Sequence, residues 1–226
     1  MRAAHAHYRP WPFHCGPTPA SGRCEHVLAG HTSKVEAVAV SADGARAVTG
    51  SGDARVWDLA SGRCEHVLAG HTSWVRAVAV SADGARAVTG SFDRDARVWD
   101  LASGRCEHVL KGHTDAVAAV AVSADGARAV TGSDDGTVRL WDLDSGQQID
   151  RWDAEKGVTS IGGSQHLLRV VAGDAAGQVH ILDLGGGVAG AAGAAPDSGQ
   201  TSARDRSGRR RRRSPAEILG FRRQST

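Results

Sequence analysis

Histidine, hydroxyl, aspartate and tryptophan side chains recur together at fixed spacings along the chain. The two clearest sets are His71, Thr89 (or Ser91), Asp93 and Trp99, followed by His113, Thr131 (or Ser133), Asp135 and Trp141. A histidine between a hydroxyl and a carboxylate is the arrangement of a Ser-His-Asp catalytic triad. The sequence lacks the G-x-S-x-G turn that exposes a nucleophilic serine, however. We therefore expect no enzymatic activity from these residues.

Cysteine and histidine side chains could instead bind a metal ion. The four cysteines, Cys15, Cys24, Cys64 and Cys106, are too few and too far apart to indicate a disulfide framework or a zinc site, so we expect reduced thiols. A second group, His5, His7 and His14 beside Cys15, lies in an irregular proline-rich segment. Neither group has the spacing of a metal site, and we predict no metal and no cofactor.

The residues with this chemistry belong to an internal repeat. Residues 20–51 match residues 60–91 at 30 of 32 positions, and residues 60–91 match 102–133 at 28 of 32. The spacings are 40 and 42 residues, and each unit runs from a Gly-His pair to a Trp-Asp pair. A period of this length with these two dipeptides is typical of one four-stranded blade of a β-propeller.

On these motifs the chain resembles the WD40 repeat family, in particular the repeats of high internal identity found in bacterial and fungal signalling proteins. The resemblance implies an all-β fold of the WD40 β-propeller type with about four blades, three clear and one degenerate, over residues 22–184. It also implies that the two sets of polar residues form the structural hydrogen-bond network of the second and third blades. A non-catalytic protein-interaction scaffold is the function that this family most often has.

Local patterns support the same fold. In the second unit, short β-branched runs at 75–80, 86–89, 96–101 and 105–110 are separated by turn residues, which predicts four antiparallel strands. The fourth unit is weaker, with three candidate strands at 158–161, 167–172 and 178–184, and with Leu182 in place of the tryptophan. In the first unit the turn after the second strand is two residues shorter. We therefore expect that blade to be strained and that Asp53 does not reach His31.

Closure of a propeller raises the question of what covers its first and last blades. Residues 23–28 read as an outer strand with no preceding blade, and we expect them to complete the fourth blade. Four blades are nevertheless few for this family. The three alternatives are a tight four-blade ring, a homodimer that forms an eight-blade ring, and an incomplete part of a longer protein.

Function is expected where nearly identical repeats differ. Lys34, Trp74 and Ala116 occupy one equivalent position, Glu36, Arg76 and Ala118 a second, and Gly52, Phe92 and Asp134 a third. Exposed tryptophan, phenylalanine and arginine side chains are enriched at binding hot spots. We predict that a protein or peptide partner binds on one face of the propeller through Lys34, Glu36, Trp74, Arg76, Phe92, Asp115 and Asp134.

Charge divides the chain unequally. The net charge is +2 overall, but residues 203–226 contain nine arginines against two acidic residues, so this tail carries +7 and the rest carries −5. The arginine run could bind nucleic acid or another anionic surface through its charge, which is the alternative function; the run is Arg209, Arg210, Arg211, Arg212 and Arg213. We predict a disordered segment at 1–21, a Gly/Ala-rich linker at 185–202 and a disordered tail at 203–226. With no apolar signal or membrane span, a cytoplasmic location is expected.

Overall fold

The computed structural model describes residues 23–184, and every helix or strand that it assigns in this range is a β-strand. The predicted all-β fold is confirmed. No helix in these residues is long and apolar enough to cross a membrane. The segments predicted at 1–21, 185–202 and 203–226, including the arginine run, lie outside the described residues.

Fifteen strands among residues 23–184 form four separate antiparallel sheets, described here in chain order. The first sheet contains β1 (Ala37–Val40), β2 (Arg46–Gly50), β3 (Ala54–Asp58) and β4 (Arg63–Leu68). The second contains β5 (Val75–Val80), β6 (Arg86–Ser91), β7 (Ala96–Asp100) and β8 (Cys106–Leu110). The third contains β9 (Val117–Val122), β10 (Arg128–Ser133), β11 (Thr137–Asp142) and β12 (Gln148–Asp153). The fourth has three strands, β13 (Val158–Gly163), β14 (Arg169–Asp174) and β15 (Val179–Asp183).

A Ser-Ala-Asp-Gly turn joins the first two strands of each of the first three sheets. In the second sheet the Ser81 hydroxyl donates to Asp83 Oδ1 at 2.6 Å, and the same carboxylate accepts from the Ala85 amide at 3.0 Å. Gly84 has φ of +67°, a left-handed conformation that a residue without a Cβ adopts at little cost. The repeated turn sequence therefore sets where each hairpin reverses.

The hydrophobic core lies between consecutive sheets rather than within one sheet. The first of three buried clusters combines Val48 and Val56 of the first sheet with Val75 and Trp99 of the second. The next two clusters join the second sheet to the third and the third to the fourth in the same way. Each sheet therefore depends on its neighbours for the burial of its apolar side chains.

One prediction about the ends of the array is wrong. Residues 23–28 form no strand and do not complete the fourth sheet, which has three strands. The segment lies instead against the first sheet, where a ring nitrogen of His26 is 3.1 Å from the carbonyl oxygen of Ala60. A strand exists only where a neighbouring strand pairs with it, and this segment has no such neighbour among residues 23–184.

Candidate partner-binding face and the buried networks beneath it

A chain of three hydrogen bonds ties the Gly-His loop of the second sheet to its inner strands. The Trp99 indole donates to Thr89 Oγ1 at 2.8 Å, and Thr89 Oγ1 is 2.7 Å from His71 Nε2. His71 Nδ1 is 2.8 Å from Asp93 Oδ2. Because the carboxylate can only accept, Nδ1 carries the proton and Nε2 accepts from the Thr89 hydroxyl. All donors therefore point in one direction, from tryptophan to aspartate.

The third sheet repeats this network with one further hydroxyl. Trp141 donates to Thr131 at 2.8 Å, and His113 lies 2.7 Å from Thr131 and 2.9 Å from Asp135. Thr137 supplies a hydroxyl at 2.7 Å and an amide at 2.9 Å to the Asp135 carboxylate. Of the two hydroxyls considered from the sequence in each unit, threonine takes the central position, while Ser91 and Ser133 donate to backbone carbonyls.

The first sheet corrects the expectation drawn from its shorter turn. Asp53 does reach His31, at 2.8 Å, and His31 and Trp57 both lie within 2.8 Å of Thr49 Oγ1. The left-handed residue of the longer turns is Arg94 in the second sheet (φ +75°) and Gly136 in the third (φ +79°). In the first sheet β3 begins directly after Asp53, without an equivalent residue. The deletion thus shortens the turn without displacing the carboxylate, and the left-handed non-glycine conformation is found at Arg94 instead.

Burial sets the protonation states of these networks. Burial lowers the pKa of His71 and of His113, and the hydrogen bond to the aspartate offsets this only in part. Burial alone raises the pKa of Asp135, but hydrogen bonds from the Thr114 amide, Thr137 and His113 outweigh it and lower the pKa to about 2. Neutral histidine beside ionised aspartate is the state that the donor directions require.

The same geometry argues against triad chemistry. The Thr89 and Thr131 side chains are fully buried, and each hydroxyl oxygen already accepts from a tryptophan. A nucleophile must reach a substrate, and these two do not. Residues 23–184 also contain no group of three His, Cys, Asp or Glu side chains placed to hold a metal ion.

A repeated arginine is part of each unit and was missed from the sequence. A Cβ on Gly70 would stand 2.5 Å from Arg97 Nη1, and the pairs Gly30–Arg55 and Gly112–Arg139 have the same contact at 2.3 and 2.4 Å. The glycine of each Gly-His pair therefore makes room for an arginine two residues before the tryptophan. The signal was present, since this arginine recurs in all three units.

Six of the seven predicted partner-binding residues form a continuous strip across the first three sheets. In its first half, Lys34 Nζ bonds Glu36 and stands 5.5 Å from the centre of the Trp74 ring. Lys34 precedes β1 and Trp74 precedes β5, so this contact joins neighbouring sheets. The Trp74 carbonyl then accepts from the Phe92 amide at 3.0 Å, which places the two aromatic residues side by side.

The second half of the strip continues to the third sheet. The Arg76 guanidinium lies 5.3 Å from the centre of the Phe92 ring and bonds Asp134 at 2.8 Å. Phe92 is 47% exposed, and the Arg76 and Asp134 side chains are about one third exposed. Asp115 is exposed and accepts from the Ala116 amide at 2.8 Å; it makes no ion pair with the rest of the strip among the described residues. We call the residues from Lys34 to Asp134 in this contact chain the aromatic strip: Lys34, Glu36, Trp74, Arg76, Phe92 and Asp134.

Comparison with known proteins agrees with this architecture. The model of the family described as "WD domain, G-beta repeat" matches residues 22–58, 62–100 and 104–142, just over half of the chain. A crystal structure of RRP9 WD40 repeats is similar with a TM-score of 0.63 at 22% identity. That match covers 69% of this chain and 50% of the RRP9 chain, so this chain spans about half the length of that relative. The search of curated proteins gave no match.

Proposed function

The chain belongs to the WD40 repeat family, and we propose that it is a non-catalytic recognition module that binds a protein or peptide partner on the aromatic strip. Proteins with WD40 repeats generally act as protein-interaction scaffolds. The strip offers two aromatic rings, each beside a cation that an ion pair holds in place. Ion pairs that hold side chains in their bound positions lower the entropic cost of association.

The distribution of differences between repeats carries the proposal. Between residues 60–91 and the two units aligned on them, every difference falls at a position from 69 to 76. The outer-strand hexapeptide Arg-Cys-Glu-His-Val-Leu is identical at 23–28, 63–68 and 105–110, although most of its residues are exposed. Neutral drift would have changed exposed positions in both regions. Within this window of 32 residues the differences cluster on the strip and the loop beside it, which indicates that this surface is under different demands from the exposed outer strand.

The test uses substitutions that the fold already accepts. Trp74→Ala and Arg76→Ala each place in the second sheet the residue that the third sheet has at the same position, Ala116 and Ala118. A peptide is first selected from a displayed random library on the immobilised full chain, and its affinity is measured by calorimetry. We expect Trp74→Ala to weaken binding by about 10- to 1000-fold, the range of an interface hot spot.

The matched control is Ile149→Ala, because Ile149 is 49% exposed and lies on β12, away from the strip. Its affinity should equal that of the wild type. A selected peptide whose affinity is unchanged by both Trp74→Ala and Arg76→Ala would remove the aromatic strip as the binding site. The arginine run at 209–213 stays a separate prediction, in which binding to a DNA duplex falls steeply with salt and is lost on truncation at residue 203.

A further inference from the structure

Each interface between consecutive sheets is built from two different faces. The face that a sheet turns to the following sheet, its trailing face, consists in the first sheet of Val48, Ala54, Val56 and Leu68. The face that a sheet turns to the preceding one, its leading face, consists in the second sheet of Val75, Val78, Val80, Ala87, Trp99 and Leu101. Four sheets give three such interfaces, so one trailing face and one leading face have no neighbouring sheet among residues 23–184.

The uncovered trailing face belongs to the fourth sheet and keeps the apolar character of a buried interface. By strand register, Val171, Val179 and Ile181 stand where the first sheet has Val48, Ala54 and Val56. The three residues are 44, 69 and 73% exposed, whereas their counterparts in the first sheet are fully buried. A patch of β-branched side chains this exposed is costly in water unless another surface covers it.

A glycine on this sheet supports the same conclusion. Gly50, Gly90 and Gly132 admit the valine that begins the next sheet, which a Cβ would meet at 2.5 to 2.7 Å. Gly173 occupies the equivalent position in the fourth sheet, yet the described atom that a Cβ there would meet is the Ser160 hydroxyl. The fourth sheet has thus lost its tryptophan but retains the small residue that a following sheet requires.

The leading face of the first sheet is partly uncovered: Ala47 and Trp57, the counterparts of Ala87 and Trp99, are buried, but its valines are not. Val35 is 47% exposed, while the equivalent Val75 of the second sheet is fully buried. Val38 and Val40 are 63 and 54% exposed, while their counterparts in the second sheet pack against the first cluster. Because this face is the same in sequence as the leading face of the second sheet, it can accept the same kind of trailing face.

A strand is missing at the same junction. Within residues 23–184 the fourth sheet ends at β15 without an outer strand, and residues 23–28 repeat the sequence of β4 without being a strand. His26 contacts Gly62 and the carbonyl oxygen of Ala60, just as His66 of β4 contacts Gly104 and that of Ala102. The segment therefore lies on the first sheet where the outer strand of a preceding sheet would lie.

We propose that a second copy of this chain supplies that preceding sheet. The trailing face of the fourth sheet in one copy packs on the leading face of the first sheet in the other, and residues 23–28 of the second copy pair with β15. Each copy carries the face that the other copy needs, so two identical contacts close a head-to-tail dimer of eight sheets. The register of this pairing follows from that of β3 with β4, in which Val56 lies opposite His66. Ile181 is the equivalent of Val56 and His26 that of His66, so Ile181 of one copy should lie opposite His26 of the other.

The mass of the full chain in solution tests the proposal first. Light scattering should give twice 23.5 kDa, about 47 kDa. Ile181→Glu and Val38→Glu each place a charge on one of the two faces, and each should shift the mass to that of a single chain by weakening association more than tenfold. Both side chains are exposed within one copy, so the fold should survive, which circular dichroism checks. Ile149→Glu, at an apolar residue on β12 that is 49% exposed, should leave the 47 kDa species intact.

Mixing distinguishes head-to-tail contact from other dimers. Ile181→Glu keeps the leading face of the first sheet unchanged, and Val38→Glu keeps the trailing face of the fourth sheet unchanged. An equimolar mixture should therefore form mixed dimers through the one interface in which these two unchanged faces meet. A contact between two fourth sheets, or between two first sheets, would be broken by one of these variants and not by the other. Either of those patterns, a wild-type chain that stays monomeric, or a ladder of larger oligomers would overturn the proposal.

Disulfide trapping tests the register directly. Opposite residues on paired strands have Cβ atoms about 4.5 to 5.5 Å apart, near the geometry of a disulfide. The double variant His26→Cys, Ile181→Cys should form a covalent dimer on mild oxidation, and neither single variant should do so to the same extent. A cross-link within one chain, seen as a species of single-chain mass that reduction changes in mobility, would mean that the chain closes on itself and would refute pairing between copies.

Discussion

Replacing Thr89 by valine tests whether the buried network holds the second sheet together. The two side chains have nearly the same shape, so the change removes the hydroxyl and leaves the packing. Trp99 then has a buried indole N–H without an acceptor, and His71 Nε2 loses its donor. A buried polar group without a partner costs about 1 to 3 kcal/mol, so the two together predict a loss of about 2 to 6 kcal/mol. That is a large part of the stability of a typical domain.

The size of the loss should follow burial from one sheet to another. Thr49 makes the same two contacts in the first sheet, but the Asp53 side chain of that network is 32% exposed, against 7% for Asp93. Water can therefore reach the first network more easily, and Thr49→Val should cost about 1 to 3 kcal/mol. Thr72→Val changes an exposed threonine beside His71 and should cost no more than about 0.5 kcal/mol.

Equilibrium unfolding in urea, followed by tryptophan fluorescence and circular dichroism, measures these differences. The slope of free energy against urea must be compared as well as the midpoint, because arrays of repeats unfold in parts when one interface is weakened. The predicted order of destabilisation is Thr89→Val, then Thr49→Val, then Thr72→Val. If Thr89→Val were no more destabilising than Thr72→Val, the network would contribute nothing to stability and the structural role assigned to it would be refuted.

The pH dependence of stability and two glycine positions can be tested in the same way. The folded pKa of His71 and His113 lies below the unfolded value of 6.5, so the unfolded chain binds more protons below that pH. The free energy of unfolding should therefore be highest above pH 6.5 and fall as the pH drops through 6.5. It should fall again below about pH 3.8, as the pH approaches the folded Asp135 pKa of about 2. Urea titrations from pH 7.5 to 3 measure this, and equal stability at pH 7.5 and 5 would contradict it. Gly90→Ala should cost about 1 to 3 kcal/mol because its Cβ would stand 2.6 Å from Val117 of the next sheet, whereas Gly52→Ala, with nothing within 4 Å, should be nearly neutral in the same assay. Arg94→Gly should stabilise the chain by up to about 1 kcal/mol and so raise the thermal midpoint, because it relieves a left-handed conformation that a glycine, Gly136, adopts in the third sheet. A lowered midpoint would show that contacts of the Arg94 side chain matter more than the conformation of its backbone.

Strand positions could be predicted from the sequence because each strand is bounded by turn residues with a physical preference. The second sheet shows this most clearly, where the run predicted at 75–80 is β5 and the turn glycine after it is left-handed. The reach of Asp53 could not be predicted by counting residues to the tryptophan. The path of the turn decides it, and a shorter turn starts β3 directly at the carboxylate instead of moving the carboxylate away.

The hexapeptide Arg-Cys-Glu-His-Val-Leu shows the limit of local prediction most plainly. The same six residues form a strand at 63–68 and, all but the first, at 105–110, yet none at 23–28. Their propensities are identical, so the difference lies in the neighbour: β3 and β7 offer a free edge, and no strand among residues 23–184 pairs with residues 23–28. Sequence can nominate such a segment as a strand, but the fold of the surrounding chain decides whether it becomes one.

The two proposals can be separated because the aromatic strip is centred on the second sheet and the uncovered faces belong to the first and fourth. Trp74→Ala should leave the 47 kDa mass unchanged, and Ile181→Glu should leave the affinity for a single peptide unchanged. A pair of copies nevertheless presents the strip twice, and two linked sites raise the apparent affinity for a divalent ligand by effective concentration. A synthetic ligand with two copies of the selected peptide should therefore bind the wild type more tightly than Ile181→Glu, by about 10- to 100-fold if its linker spans the two strips. The linker length of the divalent ligand is varied. Equal affinity for both proteins at every length would show that the two strips of a dimer cannot bind one ligand together.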